Sequence, residues 1–293
     1  MINRLGTIDF DIVEANPVVF RNRLHRFEYI RKGCRSIRGR QAGEGSLFRL
    51  VDWESGEIVS EFGHNYHMGC AMAWGNRLYV TCNAAWGGNA LYVMSSEDLQ
   101  TWTEPQKILA DPEWKCFNTS TCRAENEIVM FFELGGPEAL VGQPFTMFFA
   151  HSSDWRNWQV IPGAIYGRDV YCGAPMLRYY GGYYYFFHLS GDYEKGFNTF
   201  ISRSTDLKSW SEEKLVLPLD DCDRNILFPA EAGQRKRIAE AKNINASDLD
   251  MCEYRGKLHM TYSWGDQRGT EFLAIATAEC GEEEFCRSFW EGN

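Results

Sequence analysis

Short apolar runs on either side of a polar turn recur five times along the chain. Four of the turn centres read Asn-Arg, Gly-Asn, Gly-Gly and Arg-Gly-Lys, which are typical of tight hairpins. The first residues after the turns are 54, 50, 55 and 75 positions apart, and they are Leu24, Leu78, Ile128, Tyr183 and Leu258. Regular spacing of this size indicates a repeat architecture, in which each hairpin begins one unit.

A second pattern follows the hairpins of the three middle units. It reads Ser-x-Asp-(Leu/Trp)-x-x-Trp and occupies residues 96–102, 152–158 and 204–210, so that its aspartates are 56 and 52 residues apart. The Ser and Asp side chains can bond nearby backbone N–H groups and hold a turn. The Trp can bury a large apolar area at the start of the next strand. The motif therefore predicts a structural turn between two outer strands.

Five units of four short strands predict an all-β fold, the five-bladed β-propeller. We expect one domain of residues 1–293, with residues 1–15 available to supply a strand that closes the ring. Residues 219–242 predict a short helical insertion between blades four and five, either a surface helix or a wall over the site. The predicted blades span residues 16–62, 64–109, 117–161, 172–217 and 243–293.

Composition and charge narrow the class of partner. The net charge is −10 and there is no block of Lys or Arg, which argues against nucleic acid and anionic membranes. No apolar run reaches 18 residues, and the first ten residues lack the apolar core of a signal peptide. We therefore expect a cytoplasmic protein. The ten cysteines contain no Cys-x-x-Cys pair and are predicted to be reduced.

The central funnel is the expected ligand site, because the innermost strands of all blades converge there. Alignment of the units places Asp250 at the start of the last innermost strand. It places Glu133 and His188 where second strands return to the same face. Asp248 lies two positions before Asp250 and is expected on the same side of the strand. Such carboxylates suit general acid and base work, although each alone also fits an ordinary polar residue at a strand end.

Further candidates lie in the loops around the inner strands. Asp169 is a fourth catalytic candidate beside Asp248, Asp250 and Glu133. Two tryptophans follow returning strands and could stack on a sugar ring. The substrate-binding candidates are Asn16, Arg31, His67, Trp86, Asn118, His188, Trp264 and Glu271. His67 has no partner His at metal spacing, so no transition metal is predicted.

The Ser-x-Asp-Leu-x-x-Trp motif and the opening Asn-Pro-Val-Val-Phe at residues 16–20 resemble the five-bladed glycoside hydrolases. The resemblance is to family 43, especially a bacterial family 43-like branch, and to the related families 32, 62, 117 and 130. It covers nearly the whole chain. It implies a glycosidase that acts on a small oligosaccharide, releasing an arabinofuranosyl or galactosyl unit with inversion. It implies no cofactor and leaves a structural calcium in the funnel open.

Three positions depart from that family. The family typically uses an Asp base on blade one, a tuning Asp on blade two and a Glu acid on blade three. Here Asn16 occupies the position of the base, and Cys70 and Ser120 occupy the next two corresponding points. A neutral amide cannot take a proton from water. Either the chemistry has moved to the four carboxylate candidates, or the protein binds sugar without turnover.

Two further functions rank lower. A protein-interaction propeller is disfavoured by the polar, Trp-flanked funnel. A phosphorylase would need clustered Arg or Lys for phosphate, and only Arg31 and Arg168 can be placed near the funnel.

Overall fold

The computed structural model describes residues 1–39, 45–143 and 145–291. Within these ranges the chain forms twenty β-strands and two short α-helices. The strands are arranged in sets of four, which we call blades, and each strand pairs antiparallel with the next strand of its blade. A single parallel bridge between Phe197 and Asn245 joins the sheets of two neighbouring blades.

The strands of each blade follow one another from the innermost to the outermost. Blade one contains β2 (Ala15–Phe20), β3 (Arg23–Ile30), β4 (Leu47–Asp52) and β5 (Ile58–Phe62). Blade two contains β6 (His67–Trp74), β7 (Arg77–Asn83), β8 (Ala90–Ser96) and β9 (Gln106–Ala110). Blade three contains β10 (Cys116–Ala124), β11 (Glu127–Leu134), β12 (Thr146–Ser152) and β13 (Gln159–Tyr166). Blade four contains β14 (Gly173–Tyr180), β15 (Tyr183–Asp192), β16 (Gly196–Ser204) and β17 (Lys214–Leu217). Blade five contains β18 (Asn245–Tyr254), β19 (Lys257–Gly265), β20 (Glu271–Ala278) and β1 (Asn3–Phe10).

The N-terminal strand β1 closes the ring, because it pairs antiparallel with β20 as the outermost strand of blade five. The innermost strands β2, β6, β10, β14 and β18 contact one another in a closed circle. The all-β propeller prediction is therefore confirmed.

The hairpins between first and second strands have the backbone that their residues predict. Asn22 has φ +59°, and the pair Gly181 and Gly182 has φ +57° and +82°. Two-residue turns with positive φ match the right-handed twist of the flanking strands. These local rules explain why the hairpins could be found from sequence.

The repeated Ser-x-Asp motif is a turn that also locks blades together. In the third copy, Ser204 Oγ accepts from the N–H of Leu207 at 2.9 Å, and Asp206 Oδ1 accepts from the N–H of Ser209 at 2.8 Å. In the first copy, the ring of Trp102 stacks on Phe62 of blade one with centroids 3.5 Å apart. The predicted structural role is confirmed, and it includes packing between neighbouring blades.

The insertion between blades four and five carries helix α1 (Ala232–Glu240) after a 3₁₀ turn at Asp221–Arg224. Arg237 of α1 donates to Asp11 at 2.5 Å, and its guanidinium lies over the rings of Phe10 and Phe272. These contacts are with the end of β1 and with β20, which favours the surface-helix interpretation. A second helix, α2 (Glu282–Ser288), ends the described chain, and neither helix is long and apolar enough to cross a membrane.

Candidate functional site

Four carboxylates and one arginine gather at the end of the channel where the innermost strands begin. Arg31 donates to Glu14 at 2.6 Å and to Glu271 at 3.5 Å. The charges of Glu14 and Asp248 both act on Glu133, and the charge of Asp248 also acts on Arg31. We call Glu14, Arg31, Glu133, Asp248 and Glu271 the acidic cluster.

Glu133 is the most deeply buried acid of the cluster, and it lies near the end of β11 with 2% of its surface exposed. Its Oε2 accepts from the backbone N–H of Asn118 at 3.2 Å and from Asn118 Nδ2 at 3.0 Å. Its Oε1 is buried without a protein partner. Burial raises the pKa of Glu133 to about 8, and the charges of Asp248 and Glu14 act in the same direction against the Asn118 bonds. The group is therefore mostly protonated at pH 7.

Asp248 enters the cluster through a β-bulge. The register of β18 and β19 shifts between Ser247 and Asp250, and Asp248 has φ +53°. Its Oδ2 accepts from Ser263 Oγ at 2.9 Å and also from Ser247 Oγ. Burial raises the pKa of Asp248 to about 6, helped by the charge of Glu14, while the two hydroxyls and Arg31 oppose the rise. Asp248 is therefore mostly ionised at pH 7.

Glu14 and Glu271 flank Arg31 at the edge of blades one and five. Burial alone would lower the pKa of Arg31, but the two carboxylates raise it above the ordinary value. Burial raises the pKa of Glu271 to about 7, against the pull of Arg31. Glu14 was missed by the sequence analysis, although it lies only two positions before Asn16 and immediately before β2. That position beside the first inner strand was the available signal.

Aromatic and polar side chains surround the acidic cluster. Trp86 is 55% exposed, and the guanidinium of Arg31 lies over its ring at 5.7 Å. Tyr171 lies beside Glu133, because a Cβ on Gly173 would stand 3.4 Å from the Tyr171 hydroxyl and 3.7 Å from Glu133 Oε1.

His67 lies at the start of β6, and its Nδ1 is hydrogen-bonded to the Tyr29 hydroxyl at 2.7 Å. Burial lowers the pKa of His67, which keeps the imidazole neutral at pH 7. Of the sequence candidates, the structure thus places Arg31, Glu133, Asp248 and Glu271 in the cluster. It places Trp86 and Asn118 in direct contact with members of the cluster.

The bulge interrupts the strand alternation between Asp248 and Asp250, and the two carboxylates bind different partners although both line the same small cavity. Asp250 accepts instead from Arg178 at 2.6 Å, and Arg178 also donates to Glu282 at 3.0 Å. Burial raises the pKa of Asp250 to about 6 against the pull of Arg178. Asp250 is therefore committed to an ion pair deeper in the channel. Asp169 is exposed before β14, and no side-chain hydrogen bond or ion pair to it occurs among the described residues.

Three predicted substrate contacts are occupied inside the fold. Asn16 Nδ2 donates to the carbonyl of Ala71 at 2.9 Å, and its Oδ1 accepts from the N–H of Ala71 at 3.0 Å. Asn16 therefore joins blade one to blade two and has no free group for a sugar.

Trp264 is fully buried and donates from Nε1 to Thr7 at 2.8 Å, so it cannot stack on a sugar. His188 is 1% exposed, and its Nε2 is hydrogen-bonded to the Tyr166 hydroxyl at 2.8 Å. Burial lowers the pKa of His188 to about 4. His188 lies within β15 and Trp264 within β19, and both side chains are buried, which the spacing alone did not reveal.

Two cavities lie along the channel. The one beside the acidic cluster measures about 40 Å³ and is lined in part by Glu14, Asn118 and Asp248, a volume on the scale of one or two water molecules. A larger cavity of about 560 Å³ opens at the hairpin end, around Arg178 and Asp250. No member of the acidic cluster lines the larger cavity. We place the candidate site at the acidic cluster, because catalysis requires acidic and basic groups. A ligand can bind at the open end of the channel without a large enclosed cavity.

Among the residues that the structure describes, no group of three or more His, Cys, Asp or Glu side chains is placed to hold a metal ion. The acidic cluster instead directs its carboxylates at Arg31 and at hydroxyl and amide donors.

No family model matches the chain, and no curated protein matches it. Solved structures do match. The α-L-arabinanase of Penicillium chrysogenum, complexed with arabinobiose, is 10% identical with a TM-score of 0.60, over 95% of this chain and 98% of that chain. The xylan β-1,4-xylosidase of Bacillus halodurans C-125 is 13% identical with a TM-score of 0.58, over 94% of this chain but only 54% of that chain.

A third match is a structure from glycoside hydrolase family 130. That family of mannoside phosphorylases also contains glycoside hydrolases that target β-1,2 mannosidic linkages. It is 11% identical with a TM-score of 0.56, over 91% of this chain and 84% of that chain. The predicted resemblance to the propeller glycoside hydrolases is confirmed at the level of the fold. At these identities the likeness carries no specific activity.

Proposed function

We propose that the chain is a glycoside hydrolase that cleaves an oligosaccharide over the acidic cluster, with Glu133 as general acid and Asp248 as general base. The observation that carries the proposal is that Glu133 and Asp248 have different environments and therefore different pKa values. Burial holds Glu133 protonated at pH 7, while Asp248 nearby is mostly ionised. Two carboxyl groups whose pKa values are pushed apart are the pattern that acid and base roles require.

The general acid must protonate the oxygen of the departing sugar as the glycosidic bond breaks. Glu133 Oε1 is buried and makes no bond to the protein, so a ligand oxygen can take that place. Asn118 holds the other oxygen from two directions and fixes the orientation of the carboxyl group. Glu133 therefore has both the proton and the free, oriented atom.

The general base must take a proton from the water that attacks the anomeric carbon. Asp248 is anchored through one oxygen by Ser247 and Ser263 and lines the small cavity, which has room for such a water. Water attacks the anomeric carbon and gives a proton to Asp248 while the glycosidic C–O bond breaks and the leaving sugar oxygen takes the proton of Glu133. This single step balances and inverts the anomeric centre. The likeness to the arabinanase supports arabino-oligosaccharides as the first substrates to test.

The charge of the cluster favours hydrolysis over phosphorolysis. Four carboxylates accompany one arginine, and Arg31 is already paired with Glu14 and Glu271. A phosphate dianion in this position would meet net negative charge without a free cationic fork.

The test of the general acid uses the leaving group. In Glu133→Gln, we expect kcat on arabino-oligosaccharides to fall by about 10³-fold, within the range that general acids contribute. On a dinitrophenyl glycoside of the same sugar the loss should be under about tenfold, because that leaving group departs without a proton. Asp169→Asn is the control and should retain full activity on both. Equal losses on both substrates, or none, would exclude Glu133 as the acid.

A sugar-binding module without turnover is the second candidate. It is favoured by Asn16, which occupies the family position of the base and is committed to Ala71. Saturable binding of an oligosaccharide by the wild-type chain, with no product after prolonged incubation, would select this candidate over hydrolysis.

A further inference from the structure

The aromatic side chains most exposed to solvent are concentrated at the acidic cluster. Of all Phe, Tyr and Trp residues that the structure describes, three expose the largest share of their surface, and these are Trp86 at 55%, Tyr193 at 49% and Tyr171 at 38%. Large aromatic rings are ordinarily buried because each hides a large apolar area. Three exposed rings at one end of the molecule therefore indicate a surface that a ligand covers.

The three rings belong to one continuous arc of ring contacts. Trp86 packs edge-to-face on Phe117 at 5.9 Å, and Phe117 packs on Phe145 at 4.6 Å. Phe145 contacts Tyr171 at 6.4 Å. The arc thus passes from blade two across blade three to the start of blade four.

The far end of the arc continues through Phe197. Tyr171 contacts Phe197 at 5.9 Å, and Phe197 contacts Tyr193 at 5.1 Å in the turn between β15 and β16. The guanidinium of Arg268 from blade five lies 4.5 Å from the Tyr193 ring centroid and steadies that ring. Trp86 and Tyr193 therefore come from different blades, with all of blade three between them.

The arc is tied to the acidic cluster at two points. Arg31 lies over the ring of Trp86, and the Tyr171 hydroxyl and Glu133 Oε1 both lie within 3.7 Å of the point where a Cβ on Gly173 would stand. A sugar unit held at Glu133 would consequently have an exposed ring on the blade-two side and another beyond Tyr171.

We propose that Trp86 and Tyr193 are the stacking platforms for two further sugar units, so that the ligand is a neutral oligosaccharide of at least three units. A ring face of a pyranose or furanose presents C–H groups that pack on an aromatic face while the hydroxyls stay in water. We assign a different sugar ring to each platform, because Trp86 comes from blade two and Tyr193 from blade four, with blade three between them. The carboxylates of the cluster disfavour acidic sugars. This inference rests on the proposed function, since it takes the acidic cluster as the point of cleavage.

The experiment measures binding without turnover. Isothermal titration calorimetry is run on the Glu133→Gln chain with neutral arabino-, xylo- and manno-oligosaccharides of two to six units. The same series is then repeated with Trp86→Ala or Tyr193→Ala added. The matched control is Tyr254→Ala, a tyrosine at the end of β18 on the opposite side of the channel from the acidic cluster.

We expect affinity to rise with length up to at least three units. Each platform variant should weaken binding of the tetramer about tenfold, the effect of one lost aromatic contact of about 1.4 kcal/mol. The affinity for the disaccharide should fall much less in at least one of the two variants. The control should change the affinity for neither the tetramer nor the disaccharide. Equal affinity of all variants for every length would overturn the platforms while leaving the proposed function intact. No binding of any oligosaccharide would overturn both.

Discussion

The raised pKa of Glu133 results from its position near the end of β11. The apolar residues Phe131 and Phe132 of β11 are fully buried, and they carry the next carboxyl group into the channel wall before the strand finishes. There it meets one amide side chain and other carboxylates, but no cation of its own. The raised pKa is the physical result of that position.

The raised pKa of Glu133 should also make the stability of the fold depend on pH. Because the folded-state pKa of Glu133 is about 8, above the value of about 4.3 expected in the unfolded chain, the folded state holds the proton more tightly. Its contribution to stability is full below about pH 4.3 and is lost as the pH rises towards 8. Glu133→Gln stays neutral throughout. We expect its Tm to exceed that of the wild type by about 3 °C or more at pH 8 and to match it near pH 4.5.

Thermal unfolding at pH 4.5, 6 and 8 measures this difference. Glu113→Gln, an exposed acid in the loop before β10, serves as the control and should show no pH-dependent gain. A Tm difference for Glu133→Gln that is constant across the three pH values would mean that Glu133 ionises normally.

At the scale of the strand, Asn16 of β2 has a structural role at the position where the resembling family has its catalytic base. Asn16 needs both a donor and an acceptor to bridge Ala71, and a carboxylate offers only acceptors. Asn16→Asp should therefore face the Ala71 carbonyl with a charge and cost about 1–3 kcal/mol of unfolding free energy. It should not increase hydrolysis.

Denaturant unfolding and kcat measured on the same preparation test this prediction, with Asn118→Asp as a comparison in which no inter-blade bridge is involved. A rise in kcat of Asn16→Asp would show that position 16 can still serve as the base.

Elements with local signals were predictable, and elements that depend on neighbours were not. The hairpin turns and the Ser-x-Asp motif are held by residues that lie close together in the chain. Their sequence pattern therefore predicts them directly. The bulge at Asp248 depends on the register with β19, and alternation alone put Asp248 beside Asp250. The bridge from Asn16 to Ala71 and the burial of Trp264 depend on other strands. Glu14 joins the site through its ion pair with Arg31, which immediately follows the neighbouring strand β3.

At the scale of the molecule, the ring divides the channel into two ends with different chemistry. The end where the inner strands begin carries the acidic cluster and the aromatic arc. The other end carries the larger cavity and the Arg178 ion pairs with Asp250 and Glu282. The two cavities share Asn16, Cys70 and Asp250 as their common wall. The proposed cleavage belongs to the end that carries the acidic cluster, and the ion pairs of Arg178 lie at the other end.

The most direct test of this account is the pH dependence of kcat/KM for an arabino-oligosaccharide, measured for the wild type and for Asn118→Ala. We predict a bell with limbs near pH 6 and pH 8, from Asp248 and Glu133. Asn118 stabilises the ionised form of Glu133, so its removal should raise the pKa of Glu133 and move only the alkaline limb to higher pH. An alkaline limb that stays in place, or an absence of turnover in the wild type, would contradict the account.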